Sequence, residues 1–269
     1  MTATVAIAGL GAIGLPLARA LDTGAIPALR LAAVAAADPD RARTRLAGFA
    51  TPPQVIPAEH LAEHADIVVE ATPAAVFATI AAPALAAGRT LLVCSAGALL
   101  RHMDLVRHAA TSGGRVIVPT GALLGLDAVR AAAEGPVESV TLETRKPPAG
   151  LSGAPYLTRH GIRLDGLATP LRVFAGTAFD AAAGFPANVN VAAALALAGI
   201  GPIRTRVEIW ADPTIDRNIH TIRVEAEAAR FTMTIENVPS AENPRTGRIT
   251  PLSVLACLRG LAGPIRVGT

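Results

Sequence analysis

Three glycines near the start of the chain, Gly9, Gly11 and Gly14, follow the apolar run Val5-Ala6-Ile7-Ala8. They precede a helix-forming segment, Leu15-Pro16-Leu17-Ala18-Arg19-Ala20-Leu21. A buried strand that turns sharply into a helix through this spacing is the opening of a dinucleotide-binding βαβ unit. Gly9 permits the tight turn, Gly11 lets the backbone approach a pyrophosphate, and Gly14 lets the helix lie close on the strand. With Ala12 and Ile13 between them, the glycines present the N–H groups of a helix N-terminus to phosphate. Glycine turns with no ligand share this spacing, so context decides, and here the strand and the helix flank it as required.

A chain of 269 residues is long enough for a substantial core in one large domain or two modest ones. Its 51% hydrophobic and 17% charged residues exclude a disordered chain. Apolar runs are broken by polar residues or glycine before they reach membrane-spanning length. Met1-Thr2-Ala3-Thr4 has no positive region of the kind that starts a signal peptide, so the expected location is cytoplasmic, with no membrane partner. Cys94 and Cys257 lie in apolar stretches and are expected as reduced thiols. The cysteines and six histidines show no metal-ligand spacing, so no metal is expected; His60 and His64 read as one solvated helix face. The net charge of +3 is scattered and aromatics make up 3%, which disfavours a nucleic-acid partner.

Strand-like and helix-like segments then alternate, which predicts a parallel sheet with right-handed crossovers. Leu29–Ala35 reads as the second strand, followed by a helix from Arg41 to Gly48 with Asp40 as its cap. A third unit spans Val55 to His64. Ile67–Glu70, Thr90–Cys94 and Arg115–Pro119 read as further strands, with helices from Pro73 to Ala87 and from Met103 to Thr111. Near Thr120 the character changes. Val137–Arg145 alternates as a half-buried antiparallel strand does, as do Ile203–Ala211 and Ile219–Ile235. Helices are expected at Val189–Leu197 and Pro251–Leu261. The expected fold is α/β: a Rossmann dinucleotide-binding domain over residues 1–120, then an α+β substrate and catalytic domain over 121–240. Residues 241–269 form a C-terminal segment that returns to the first domain.

Asp38 ends the second strand 24 residues after Gly14, where an acidic residue commonly takes the ribose 2′-hydroxyl and repels a 2′-phosphate. Arg41 and Arg43 follow closely and favour a phosphate, so the cofactor is NAD or NADP; a turn former before Pro39 is the plainer role of Asp38. Ala71-Thr72-Pro73, Ser95-Ala96-Gly97-Ala98 and Thr120-Gly121-Ala122 all follow predicted strands, at the edge where such sheets bind ligands. On a strand from Asn218 to Glu227, period two places His220, Ile222, Val224 and Ala226 on one face. By pattern alone His220 is most simply a core histidine, and an acid–base residue is the second reading. Asn188 or Asn190 caps the following helix, or Asn190 holds a cofactor amide. Arg145 and Lys146, at a strand end, suit substrate carboxylates, though solvated charge is the default.

Taken in order, these residues resemble the L-aspartate dehydrogenase family. The resemblance runs through Gly9–Gly14, Ser95-Ala96-Gly97-Ala98, Thr120-Gly121-Ala122 and Thr144-Arg145-Lys146-Pro147. It continues through Phe185-Pro186-Ala187-Asn188-Val189-Asn190, Arg217-Asn218-Ile219-His220, Glu236-Asn237 and Asn243-Pro244-Arg245-Thr246. It implies a homodimer that oxidises L-aspartate, a dicarboxylic amino acid, with NAD or NADP to iminosuccinate. That product yields oxaloacetate and ammonia, a step that in some organisms feeds NAD biosynthesis. The family's catalytic histidine falls on His220 and further cofactor contacts on Ala122 and Asn190, which reverses the pattern-only reading of His220. Arg145, Lys146, Asn218, Asn243, Arg245 and Thr246 are the substrate-binding candidates. The chain departs from the family pattern at Leu123-Leu124-Gly125, Arg245 and Gly247. Two other readings share the glycine loop: a related reductase of another amino, imino or oxo acid, and a non-catalytic NAD(P) sensor.

Overall fold

The computed structural model describes residues 2–186, 189–240 and 246–268. The chain forms two units, Met1–Pro119 with Thr250–Val267, and Thr120–Ile249 with Gly268–Thr269.

The first unit opens on β1 (Ala3–Ala8), α1 (Gly14–Asp22), β2 (Leu29–Ala35), α2 (Pro39–Leu46) and β3 (Gln54–Val55). It continues through α3 (Leu61–His64), β4 (Ile67–Glu70), α4 (Phe77–Ala86), β5 (Thr90–Val93), α5 (Ala96–Leu99), α6 (Met103–Ser112) and β6 (Arg115–Ile117). All six strands are parallel, in the order β3-β2-β1-β4-β5-β6. This is the expected Rossmann-like sheet. Strand order reverses between β1 and β4, where Ala8 pairs with Glu70. The C-terminal ends of those two strands therefore mark the ligand-binding edge.

Local chemistry sets several boundaries. Asp38, not the expected Asp40, caps α2: its carboxylate accepts from the Arg41 N–H at 2.9 Å. Pro39 then occupies the first helical turn, where its missing N–H costs nothing. Pro73 leads into a short 3₁₀ turn, Ala74–Val76, before α4 proper.

The second unit contains α7 (Leu126–Ala133), β7 (Val137–Lys146), α8 (Pro155–Arg159), β8 (Leu171–Thr177), α9 (Ala178–Gly184) and α10 (Asn190–Ala198). β9 (Thr205–Ala211), β10 (Asn218–Ala226) and β11 (Arg230–Asn237) complete it. Its mixed sheet runs β11-β10-β7-β9-β8; β7 and β9 are parallel and the other pairs antiparallel. The expected segment Ile219–Ile235 is thus a hairpin of two strands. α7, β8 and α9 are elements that the sequence reading did not anticipate. One sheet face buries Val140, Leu142, Val207, Ile209, Ile222 and Val224, and α7, α9 and α10 pack on the sheet. The opposite face carries ion pairs such as Arg223–Glu143 and Arg172–Glu208.

α11 (Ile249–Ala262) belongs with the first unit. Its Val254 and Leu258 join Val5, Ile7, Leu17, Leu31, Val69 and Leu92 in one buried cluster. Leu258 is fully buried. Replacing it with Ala should cost about 2–5 kcal/mol of stability, read as a lowered denaturant midpoint with the slope unchanged.

Candidate active site

At the glycine turn, Gly9 holds φ at +92°, and a Cβ there would run into the Ala71 carbonyl. A Cβ on Gly14 would overlap the carbonyl oxygen of Gly9. Both glycines are therefore required by the fold itself. Gly11 differs: it is exposed, its φ is ordinary, and a Cβ would meet nothing within 4 Å. Its bareness serves no packing, and it leaves open the space that a pyrophosphate needs beside the backbone. No side chain caps α1, where Ile13 holds the cap position before Gly14. This end of the helix fits a dinucleotide phosphate.

Asp38 is exposed just beyond β2, and one carboxylate oxygen serves the α2 cap. Of the nearby arginines, Arg43 pairs with Asp40 at 2.6 Å. Arg45 donates to the Leu10 carbonyl at 2.7 Å, which ties α2 to the glycine turn. Glu70, the last residue of the strand expected at Ile67–Glu70, is completely buried.

In the second unit, β7 and β10 pair so that Thr144 lies beside His220. His220 is 2% exposed and its Nδ1 stands 3.1 Å from Thr144 Oγ1. Burial, followed by the nearby Lys146 charge, lowers its pKa from 6.5 to about 3, so the imidazole is neutral at pH 7. Lys146, the only lysine in the sequence, is 5% exposed. Together with Thr144 it lines a small cavity whose apolar walls include Phe185, Val189 and Ile209. Phe185 is held by Tyr156 and Phe174, at ring distances of 5.3 and 5.6 Å. Asn218 is buried and pairs across the hairpin with Asn237, which is also buried. Asn237 Nδ2 donates to the Ala122 carbonyl at 3.0 Å and so fixes that turn. Its Oδ1 has no hydrogen-bond partner among the described residues, and it lies where Gly247 leaves room for it.

Asn190 is the exposed first residue of α10, and the residue at the cap position is Val189. Asn190 therefore does not cap that helix. Arg145 points to the other sheet face from Thr144 and Lys146. There it pairs with Glu143 at 2.7 Å and Asp212 at 3.4 Å and stacks on Trp210. The structure thus groups Lys146, Asn218 and His220 and sets Arg145 apart. Thr246 is half-buried, and its carbonyl accepts from the Ser240 N–H at 2.8 Å. Asn188, Asn243 and Arg245 lie outside the described residues. Among the described residues no group of three or more His, Cys, Asp or Glu is placed to hold a metal, and no helix is long and apolar enough to cross a membrane.

Residues 127–261 match the family described as aspartate dehydrogenase, C-terminal, and residues 9–119 match the homoserine dehydrogenase NAD binding domain. The chain is 55% identical to an L-aspartate dehydrogenase of Bradyrhizobium diazoefficiens, covering 98% of this chain and 94% of the relative. The chain belongs to the aspartate dehydrogenase family. A second member, L-aspartate dehydrogenase 3 of Bordetella bronchiseptica, is 54% identical, covering 98% of this chain and 97% of the relative. Among solved structures, aspartate dehydrogenase from Thermotoga maritima superposes with a TM-score of 0.76 at 25% identity, covering all of both chains. Membership in the aspartate dehydrogenase family and the NAD binding domain together indicate a nicotinamide dinucleotide as cofactor.

Two outcomes follow from this geometry. Gly11→Ala should fold as the parent does and lose cofactor binding, whereas Gly14→Ala should fail to fold stably. Thermal melting with a cofactor titration separates them. His220 ionises at higher pH when unfolded than when folded, so the unfolded state takes up more protons below pH 6.5. Its contribution to stability is complete above about 6.5 and lost progressively as pH falls toward about 3. Denaturant unfolding at a series of pH values should show His220→Gln losing less stability than the parent over that range.

Proposed function

We propose that this chain oxidises L-aspartate to iminosuccinate with NAD or NADP, with His220 as the acid–base residue. The observation that carries the reading is a buried, neutral histidine beside the single lysine, at the polar end of an otherwise apolar sheet face. When bound, the nicotinamide ring supplies the hydride acceptor for the substrate Cα–H. Gly9, Gly11, Ala12, Ile13 and Gly14 hold its phosphates, Asp38 its adenosine ribose, and Ala122 and Asn190 the remainder. Lys146 faces a substrate carboxylate, with Asn218 beside it; Thr246, Asn243 and Arg245 are further candidates for that contact.

With Nδ1–H of His220 donating to Thr144, an assigned tautomer, Nε2 is the basic nitrogen. It takes a proton from the substrate ammonium. The freed lone pair then forms the C=N bond as the Cα hydrogen departs with its electron pair. The same nitrogen can serve the water that later hydrolyses the imine to oxaloacetate and ammonia. In the unliganded chain burial and the Lys146 charge make His220 a weak base, and the carboxylates of a bound aspartate would offset that charge and raise its basicity for this step. Arg145 has no part in this scheme, because its partners are on the opposite sheet face. The active protein is a homodimer, as its resemblance implies.

The test is absorbance at the reduced-nicotinamide band with purified protein, L-aspartate and each cofactor in parallel, beside a panel of other amino and hydroxy acids. Reduced cofactor from aspartate supports the proposal; turnover of another acid well above aspartate overturns it. His220→Ala should lower turnover by about 10²–10⁴-fold in a folded protein. Lys146→Ala should raise the KM for aspartate, while Arg145→Ala should leave that KM near the parent value.

A further inference from the structure

Glu70 is completely buried, yet neither the proposed chemistry nor the packing of an apolar strand accounts for it. As the last residue of β4 it pairs with Ala8 of β1 on one side and Val93 of β5 on the other, at the point where strand order reverses. Four donors converge on its carboxylate. Oε1 accepts from the Thr72 N–H and the Thr72 hydroxyl, both at 2.8 Å. Oε2 accepts from the Ser95 N–H at 3.1 Å and the Ser95 hydroxyl at 2.6 Å. One side chain thereby ties together the turns that leave β4 and β5. The Thr72 turn is also the wall of the glycine loop: Ala71 N–H donates to Ala8 at 2.9 Å, and the Ala71 carbonyl and Thr72 methyl crowd the Cα of Gly9.

We propose that Glu70 is a positioning residue for the dinucleotide cofactor, an inference that rests on the cofactor reading above. A buried carboxylate is costly unless fully hydrogen-bonded. Here all the bonds are spent on two backbone turns at the ligand-binding edge, where preorganisation lowers the cost of ordering the site on binding. Glu70 directs its hydrogen bonds to Thr72 and Ser95. It holds the Thr72 and Ser95 turns at a fixed spacing from each other and from Gly9.

Glu70→Gln keeps shape and one acceptor oxygen but leaves one of the two backbone N–H groups without its partner. The experiment is a fluorescence titration of the wild-type and variant proteins with NADH and with NADPH, without substrate, alongside thermal melts. Weakening of cofactor Kd by about tenfold or more in a folded variant, with aspartate KM unchanged at saturating cofactor, is the expected result. A lowered melting temperature with cofactor Kd within about twofold of wild type overturns the proposal, since Glu70 would then serve stability alone. Should Glu70→Gln not fold, Ser95→Ala and Thr72→Val each delete one hydroxyl, and an unchanged Kd in both overturns it equally. Tight wild-type binding without aspartate turnover would sink the aspartate reading and leave this one standing. No binding of either cofactor by the wild type would overturn both.

Discussion

The close approach of backbone at the end of β1 is the constraint on which the first unit depends. The Gly9 carbonyl lies against Gly14, and the Ala71 carbonyl lies against Gly9. The strand, the helix that follows it and the neighbouring strand's exit turn therefore meet with no side chain between them. This contact fixes where α1 starts, and with it the direction of the helix N-terminus. Glu70 reinforces the arrangement from beneath by satisfying four donors in two adjacent turns. Rigidity here comes from hydrogen bonds and excluded volume rather than from large side chains.

The second unit handles polarity differently. Its helix-covered sheet face is apolar along most of its length and turns polar at one end, with Thr144, Lys146, Asn218, His220 and Asn237 all buried. Polar groups in such surroundings cost free energy unless they are paired. His220 meets this cost by staying neutral, whereas Asn237 meets it only in part: Nδ2 donates to Ala122, and Oδ1 has no partner among the described residues. The opposite face spends its charges on one another, as in Arg145 with Glu143 and Asp212. The same strand, β7, thus contributes a buried lysine to one environment and a paired arginine to the other.

Much of this was legible in the sequence. The glycine spacing and the βα alternation gave the first unit almost strand by strand, because buried parallel strands leave apolar runs bounded by helix caps. Period two along β10 put His220 on the inward face. α7 was not anticipated, although Leu126, Val129 and Ala132 recur at helical spacing, and neither were α9 and β8, which lie beyond a glycine- and proline-rich stretch. Ile67–Glu70 reads as a buried strand, but the partners of Glu70 were not legible, because the two turns that bond it are brought together only by the pairing of β1, β4 and β5. Arg145 and Lys146 read alike as neighbours in sequence, and only the pleat of β7 separates them.

The first unit is discontinuous, since Val254 and Leu258 of α11 sit in the same core cluster as β1 and α1. During synthesis, residues 1–119 leave the ribosome first, but the hydrophobic core they begin is closed only when residues 250–267 have emerged. The intervening unit, whose sheet draws on residues 137–237, has all its strands available earlier. Vectorial folding of this chain therefore runs against its domain order: the inserted unit can finish first, while the nucleotide-binding unit waits with an incomplete face. A ribosome stalled before α11 would expose that face to chaperones.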